Sequence, residues 1–320
     1  MPPRKPKPEN AQGPRFKWIG TDAADAAKRR FYRLETLASA TEGAVRTERG
    51  PLFAAAESVL GRVPFTSFVC EFVSESPYRL VFRVSITNAR QKRATLMYVA
   101  AKNERELAKL LEIEWGNMVS LAKRAPRHVP QPLRPGTLFL PDRHRRKEME
   151  RNVFCYVSQW SGTTEELGTG RGSQFVAMSK PPRVLSKPVS EGIREALMEM
   201  AICAYDPTLR IGIDMGALSP ADLWFATTKQ GAPRLWLGAC RRVEHRLTPE
   251  KLLHRLIHAS WGGGPDYFPL APGDAQAFVD VVLRTAGPEL GPLWLARYRD
   301  AVAANKIGPP PPGYALLLES

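Results

Sequence analysis

The rhythm of apolar and polar positions changes three times along the chain. After Asp22, a capping residue, Ala24, Ala27, Phe31, Leu34 and Leu37 recur at helical steps and predict a helix from Thr21 to about Ser39. A second helix is predicted from Pro51, a residue favoured in the first turn, to Leu60 ahead of Gly61. The pattern then becomes β-rich. Strands are predicted at Phe65–Val73, Tyr78–Ile86 and Thr95–Ala101, with Ser74-Glu75-Ser76-Pro77 and Thr87–Arg93 as the turns between them. A helix follows from Glu104 to Lys123, and Pro130 and Pro132 stop anything helical beyond it. Gly136–Leu140 and Asn152–Trp160 read as two more strands, which gives a five-stranded sheet with one helix inserted after the third strand. Residues 161–190 have little regular pattern and predict an exposed loop or insertion. Beyond them a helix is expected at Glu191–Tyr205, short strands at Asp222–Ala226 and Arg234–Leu237, and helices at Pro249–Trp261, Ala275–Ala286 and Pro292–Ala304. The tail, with Pro309-Pro310-Pro311-Pro312, should be extended. No internal repeat is present.

One residue breaks the apolar stripe of the Glu104–Lys123 helix. Leu107, Leu111, Glu114, Met118 and Leu121 share a face, so Glu114 should be buried. An ionised carboxylate there is costly unless it is paired. Lys102, just past the strand that ends at Ala101, is the nearest candidate in the chain.

Composition narrows the picture. A chain of 320 residues can bury a full core and hold one two-lobed domain or two domains. Its 43% apolar and 24% charged content is ordinary for a globular protein. The four cysteines, Cys70, Cys155, Cys203 and Cys240, are scattered without metal-ligand spacing, so reduced core thiols and a cytoplasmic setting are expected. The sequence contains no apolar run of membrane-spanning length and no signal-peptide core, so no membrane span is expected. Net charge is +14. Arg4, Lys5, Lys7, Arg15 and Lys17 crowd the start, and Arg143, His144, Arg145, Arg146, Lys147 and Arg151 form a second cluster. Both read as tails or loops, where charge is usually solvated. The surplus nevertheless suits an anionic partner, whether protein or nucleic acid.

The succession of strand-Lys102, helix-Glu114, Val129-Pro130-Gln131-Pro132-Leu133 and a further strand, with helices later, resembles the protein-kinase-like superfamily over roughly residues 65–300. The aminoglycoside phosphotransferases and lipopolysaccharide-core kinases are its nearest flavour. The resemblance implies a two-lobed α+β fold, with a five-stranded antiparallel sheet and one helix in the first lobe and a mainly helical second lobe. The implied organisation is a disordered basic tail over 1–16, a helical extension over 17–62, a first lobe over 63–160, a loop or insertion over 161–190, a helical lobe over 191–306 and a Pro-rich tail over 307–320. It also implies ATP and Mg²⁺ as cofactors, with Lys102 on the phosphates and Glu114 holding Lys102.

The rest of the resemblance is degenerate. The turn that would cover the phosphates, within Val73–Val84, has no glycine, and Glu75 would repel phosphate. In Ile213-Asp214-Met215-Gly216-Ala217-Leu218-Ser219-Pro220-Ala221-Asp222 the catalytic aspartate position falls on Ala217, which can neither accept a proton nor orient a hydroxyl. Asp222 falls where an asparagine would bind metal, and a carboxylate there can bind Mg²⁺. Asp214 is three residues early. Leu237 or Gly238 stands where a second metal-binding aspartate belongs, ahead of Arg241-Arg242. Asp214 and Asp222 are therefore the candidate catalytic acids, Asp222 the candidate metal ligand, and both suit a capping or turn role as well. The expectation is a pseudokinase with a binding or regulatory role and weak or no nucleotide binding. The alternatives are an active phosphotransferase with an atypical catalytic loop and a basic nucleic-acid-binding protein. Elsewhere, His254 and His258 lie four apart on a helix without an intervening glutamate of the HExxH kind, Gly168–Ser173 is not a P-loop, and no Ser-His-Asp order stands out.

Overall fold

The computed structural model of the chain describes residues 13–20, 34–102, 105–141, 150–160, 162, 164–170, 174–179, 181–228, 231–261, 268–269 and 271–318. Most of the 1–16 tail, the start of the first predicted helix, the core of the 143–151 basic cluster and Gly262–Gly264 lie outside them. The chain divides into two units, residues 1–112 with 132–160 and residues 113–131 with 161–320.

The first unit is a six-stranded sheet of β1 (Arg15–Ile19), β2 (Phe65–Glu75), β3 (Arg79–Asn88), β4 (Arg93–Ala101), β5 (Pro132–Pro141) and β6 (Glu150–Gln159), in the order β1-β2-β3-β4-β6-β5. The five expected strands are present. β1 is an addition that pairs parallel with β2 and so corrects the five-stranded, wholly antiparallel expectation. Its alternation explains why it adheres: Phe16 stacks on Phe68 at 4.9 Å, and Trp18 meets the Phe82 ring edge-on at 5.5 Å, while Arg15, Lys17 and Ile19 face outward. Helices α1 (Leu34–Arg46) and α2 (Gly50–Leu60) pack on the sheet. The Trp18 indole donates to Glu42 of α1 at 3.0 Å, and Thr41 of α1 shares a hydrogen bond of 3.2 Å with the Tyr98 hydroxyl of β4. The first helix runs on to Arg46 rather than ending near Ser39, because Leu37, Thr41 and Val45 continue its buried face. α2 begins with Pro51 in its first turn, as the sequence predicts.

Helix α3 (Arg105–Arg124) follows β4, and its residues from 113 onward belong to the second unit. That unit holds a second sheet, from β7 (Glu165–Thr169), β8 (Phe175–Ala177), β9 (Arg183–Val184), β11 (Leu223–Thr227) and β12 (Pro233–Leu237), in the order β12-β11-β7-β8-β9. Three of these strands lie in 161–190, so that segment is not an exposed loop and the unit is less purely helical than expected. Leu167, Phe175, Val176, Ala177 and Leu185 are buried. Gly168 lies within β7, with the Met178 side chain against it. The strands β10 (Ile211–Ile213) and β13 (Val243–His245) pair antiparallel and bracket the segment carrying Asp214 and Asp222.

Helices α4 (Lys187–Ala204), α5 (Pro249–His258) and α6 (Ala275–Ala303) complete the core, with short β14 (Ser260–Trp261) and β15 (Phe268–Pro269) beside them in sequence. α6 is broken at Gly287, whose φ of 85° stops one helix before Pro288 opens the next, so two helices are present as the sequence predicts. The tail is not extended throughout. Pro312–Leu318 forms a 3-10 helix that buries Tyr314 and Leu317, and the Leu317 carbonyl accepts from Arg299 Nε at 2.7 Å. All four cysteines are free, with Cys70, Cys155 and Cys240 buried and Cys203 half-buried. Among the described residues no helix is long and apolar enough to cross a membrane.

Candidate functional site

In the first unit Lys102 follows the last residue of β4. Its backbone N–H donates to the Tyr78 carbonyl at 3.0 Å, which extends the β3–β4 ladder by one residue and fixes the side chain at the sheet's end. The ammonium is buried, at 5% exposure, and Nζ lies 3.7 Å from Glu75 Oε2 at the end of β2. The Glu75 side chain is 34% exposed. Thus the glutamate that the sequence places in a phosphate-covering turn is an ion partner of the lysine that would bind phosphate.

Glu114 belongs to the second unit, whereas Lys102 belongs to the first. Glu114 is fully buried on the predicted face of α3, among Leu111, Met118 and Leu121. Three residues further along the same helix, Asn117 donates through Nδ2 to the Cys240 carbonyl at 3.0 Å. Burial pushes the Cys240 thiol up to about 12, and the nearby carboxylates Glu114, Asp222 and Asp214 add to that rise. These three acids therefore surround one short stretch of chain, the segment after β12.

Asp222 ends a one-turn 3-10 helix, Pro220–Asp222, and is 3% exposed. Its Oδ2 accepts from the Ser219 N–H at 2.9 Å, from Ser219 Oγ at 2.8 Å and from Arg241 Nη2 at 2.6 Å. The first bond belongs to a capping box, which holds the turn shut, and the second ties the two side chains together. The third is a charge-assisted bond to the first arginine after Cys240. The backbone of Asp222 is fixed as well, since its carbonyl accepts from Gly238 N–H at 2.7 Å and from Ala239 N–H at 3.2 Å.

Asp214 is built into a turn of its own. Oδ1 accepts from the Gly216 N–H at 3.1 Å, its carbonyl accepts from the Ala217 N–H at 3.0 Å, and Oδ2 lies 3.8 Å from Arg242 Nε. Arg241 and Arg242 thus each face one of the two candidate acids. The structure brings Asp222 and Asp214 to one segment, but as two separate Asp-Arg pairs. Among the described residues no group of three His, Cys, Asp or Glu side chains could hold a metal ion.

Gly238 has a packing role. A Cβ built on it would meet the Trp224 indole nitrogen at 2.6 Å, so the indole takes the space that any side chain at 238 would need. A residue not singled out by the sequence also holds this region. Buried His128 lies 3.3 Å through Nδ1 from the Leu235 carbonyl of β12, and its own carbonyl accepts from Leu237 N–H at 2.7 Å. Its Nε2 is 3.4 Å from Glu199 Oε1 on α4, a charge contact outside good hydrogen-bond alignment. Burial alone would lower the His128 pKa, but Cys203, Glu199 and the Leu235 carbonyl outweigh it and raise it to about 9. Its neighbours in sequence, Pro126-Arg127-His128-Val129, give no pattern that would have marked it. The rings of His254 and His258 lie 4.1 Å apart on α5, tilted by 41°.

No protein-family profile matches the chain, and no curated protein does either. Solved structures align with the chain at low similarity. One is a Stt7 homolog from Micromonas algae, soaked with ATP, at 13% identity over 73% of this chain and 77% of the other, with a TM-score of 0.34. A second is the macrolide 2'-phosphotransferase MphH from Brachybacterium faecium as apoenzyme, at 10% identity over 84% of this chain and 94% of the other, with a TM-score of 0.33. A third is the MAP kinase LmaMPK10 from Leishmania major, at 11% identity over 87% of this chain and 78% of the other, with a TM-score of 0.32.

Proposed function

We propose that the chain is a kinase-like protein that acts by binding or regulation and does not transfer phosphate. The observation that carries this reading is the guanidinium of Arg241 on Asp222, at 2.6 Å. In the kinase-like register, Asp222 stands at the metal-binding position. A divalent ion there would have to displace a bidentate-capable cation and face two Ser219 donors aimed at the same oxygen. These residues therefore do not fit a resident Mg²⁺. Phosphoryl transfer rests on metal and charge placement more than on covalent chemistry, so a built-in arginine in place of the ion removes its main driving force.

Two further features support the same reading. Ala217, at the catalytic-aspartate position, has only a backbone bond to offer, its N–H on the Asp214 carbonyl. Gly238, at the second metal-ligand position, is backed by the Trp224 indole. In this reading Asp214 and Asp222 shape their turns and balance Arg242 and Arg241. Lys102 is the residue through which any nucleotide would be felt, and Glu75 competes with the phosphates for it. Nucleotide binding should then be weak and indifferent to Mg²⁺.

The test is thermal shift with ATP, with and without Mg²⁺, on the wild type and on Lys102→Met, together with transfer of radiolabelled γ-phosphate. The expected result is no Mg²⁺-dependent stabilisation and no transfer. Mg²⁺-dependent turnover that vanishes on Asp222→Ala would overturn the proposal and make the chain an atypical active phosphotransferase.

A further inference from the structure

The turn between β3 and β4 carries Arg90, Lys92 and Arg93, all exposed, and has no acidic residue. Among the described residues none of these three side chains has an ion-pair or hydrogen-bond partner. The turn itself is tightly tied. Buried Asn88 accepts through Oδ1 from the N–H groups of Arg90 and Lys92, both at 3.0 Å, and its own N–H donates to the Lys92 carbonyl at 3.1 Å. The Ala89 N–H donates to the Pro64 carbonyl at 2.8 Å, which anchors the tip to the strand-entry segment before β2. Three like charges are thus held together on an ordered backbone, although their mutual repulsion would be relieved by spreading.

The same end of the first unit gathers more cations. Arg15, Arg46 and Arg62 line one cavity of about 1290 Å³ together with Glu48 and Glu57, and Arg46 lies 3.6 Å from Glu42. Arg15 is exposed and, among the described residues, faces no carboxylate partner. The Arg62–Glu57 contact of 3.2 Å is solvent-exposed, and such pairs contribute little. The sequence that leads into Gly13 adds Arg4, Lys5 and Lys7 against the single acid Glu9.

We propose that the β3–β4 turn docks the phosphate backbone of a nucleic acid. Ordered, unpaired Arg and Lys side chains are what counterion release rewards, and pre-ordering lowers the cost of engagement. The uncharged tip residues are Ala89 and Gln91, so there is no large apolar group to enter a bilayer, which distinguishes the tip from membrane-attached segments. Asn88 is consumed by the turn, and contacts of the three cations to phosphate position the polymer without specifying its sequence.

The experiment is fluorescence anisotropy of the full chain with a short labelled RNA and with a DNA duplex across a salt series. The substitutions Arg90→Gln, Lys92→Gln and Arg93→Gln are made together. Affinity should fall roughly tenfold or more, and the slope of log K against log salt should lessen by about 2 to 3, since each phosphate contact contributes about 0.7 to 0.9. Because the three side chains are exposed, the melting temperature should not change. A control removes equal charge at exposed positions of the second unit, by Lys123→Gln, Lys187→Gln and Lys251→Gln. It should bind as the wild type does. The proposal is overturned if the hairpin variant keeps its affinity and slope, or if the control loses as much. Binding to phosphatidylserine vesicles with no binding to either nucleic acid would also overturn it.

Discussion

The two units treat a buried charge differently. In the second, the Asp222 carboxylate is met at one oxygen by two Ser219 donors and by Arg241, all within 2.9 Å. In the first, the buried Lys102 ammonium stands 3.7 Å from Glu75, whose own side chain is one-third exposed. One charge is locked into a network that specifies its geometry. The other stands in a longer, looser ion contact. The two partners are exposed alike, Arg241 at 36% and Glu75 at 34%, so the difference lies in contact distance, 2.6 Å against 3.7 Å.

The largest expected effect tests the locked network. Arg241→Met strips the guanidinium from a carboxylate that is 3% exposed, and chemical denaturation should show a loss of about 3 kcal/mol. Adding Asp222→Asn removes the orphaned charge and should recover most of that loss. If the single variant loses less than about 1 kcal/mol, Asp222 is not dependent on Arg241 and the contrast between the units fails.

A second, smaller effect concerns His128, a buried charge of the second unit whose carboxylate partner is as exposed as Glu75. Its pKa is raised from 6.5 to about 9 in the fold. The imidazolium therefore contributes stability that is fully present below pH 6.5, declines above it, and is gone once the pH has risen through about 9. Because Glu199 is one-third exposed, the contribution is roughly 2 kcal/mol after solvent screening. Glu199→Gln should flatten stability between pH 6.5 and 9. An unchanged pH profile in that variant would remove His128 from the comparison.

The smallest effect belongs to the looser pair. Glu75→Gln should cost about 1 kcal/mol or less, because the contact is long and its carboxylate is partly solvated. A loss comparable to that of Arg241→Met would make the two units alike.

Much of the layout was legible because it rests on local periodicity. Glu114 lies where its stripe of Leu111, Met118 and Leu121 put it, and α6 breaks at Gly287, just after the predicted helix end at Ala286. β1 was not read because its five residues lie between a Pro- and charge-rich start and Gly20. Its signal was the alternation of Phe16, Trp18 and polar neighbours, which gains meaning only from Phe68 and Phe82 far along the chain. The strands in 161–190 are masked in the sequence by the glycines at 168, 170 and 172, which suggest a loop. The tail read as extended from its prolines, but Tyr314 and Leu317 supply a buried face just beyond them. At the candidate site the sequence supplied the acids but not their partners. Arg241 and Arg242 meet Asp222 and Asp214 through pairing across the fold, and no spacing rule announces that.

The Trp224 indole behind Gly238 also ties two positions together. An aspartate at 238 would collide with the ring, and a smaller residue at 224 would leave a hole until 238 grew to fill it. Each change made alone is destabilising, by overpacking in one case and by a cavity in the other, so a side chain at 238 and a smaller residue at 224 are coupled and would be accommodated best together.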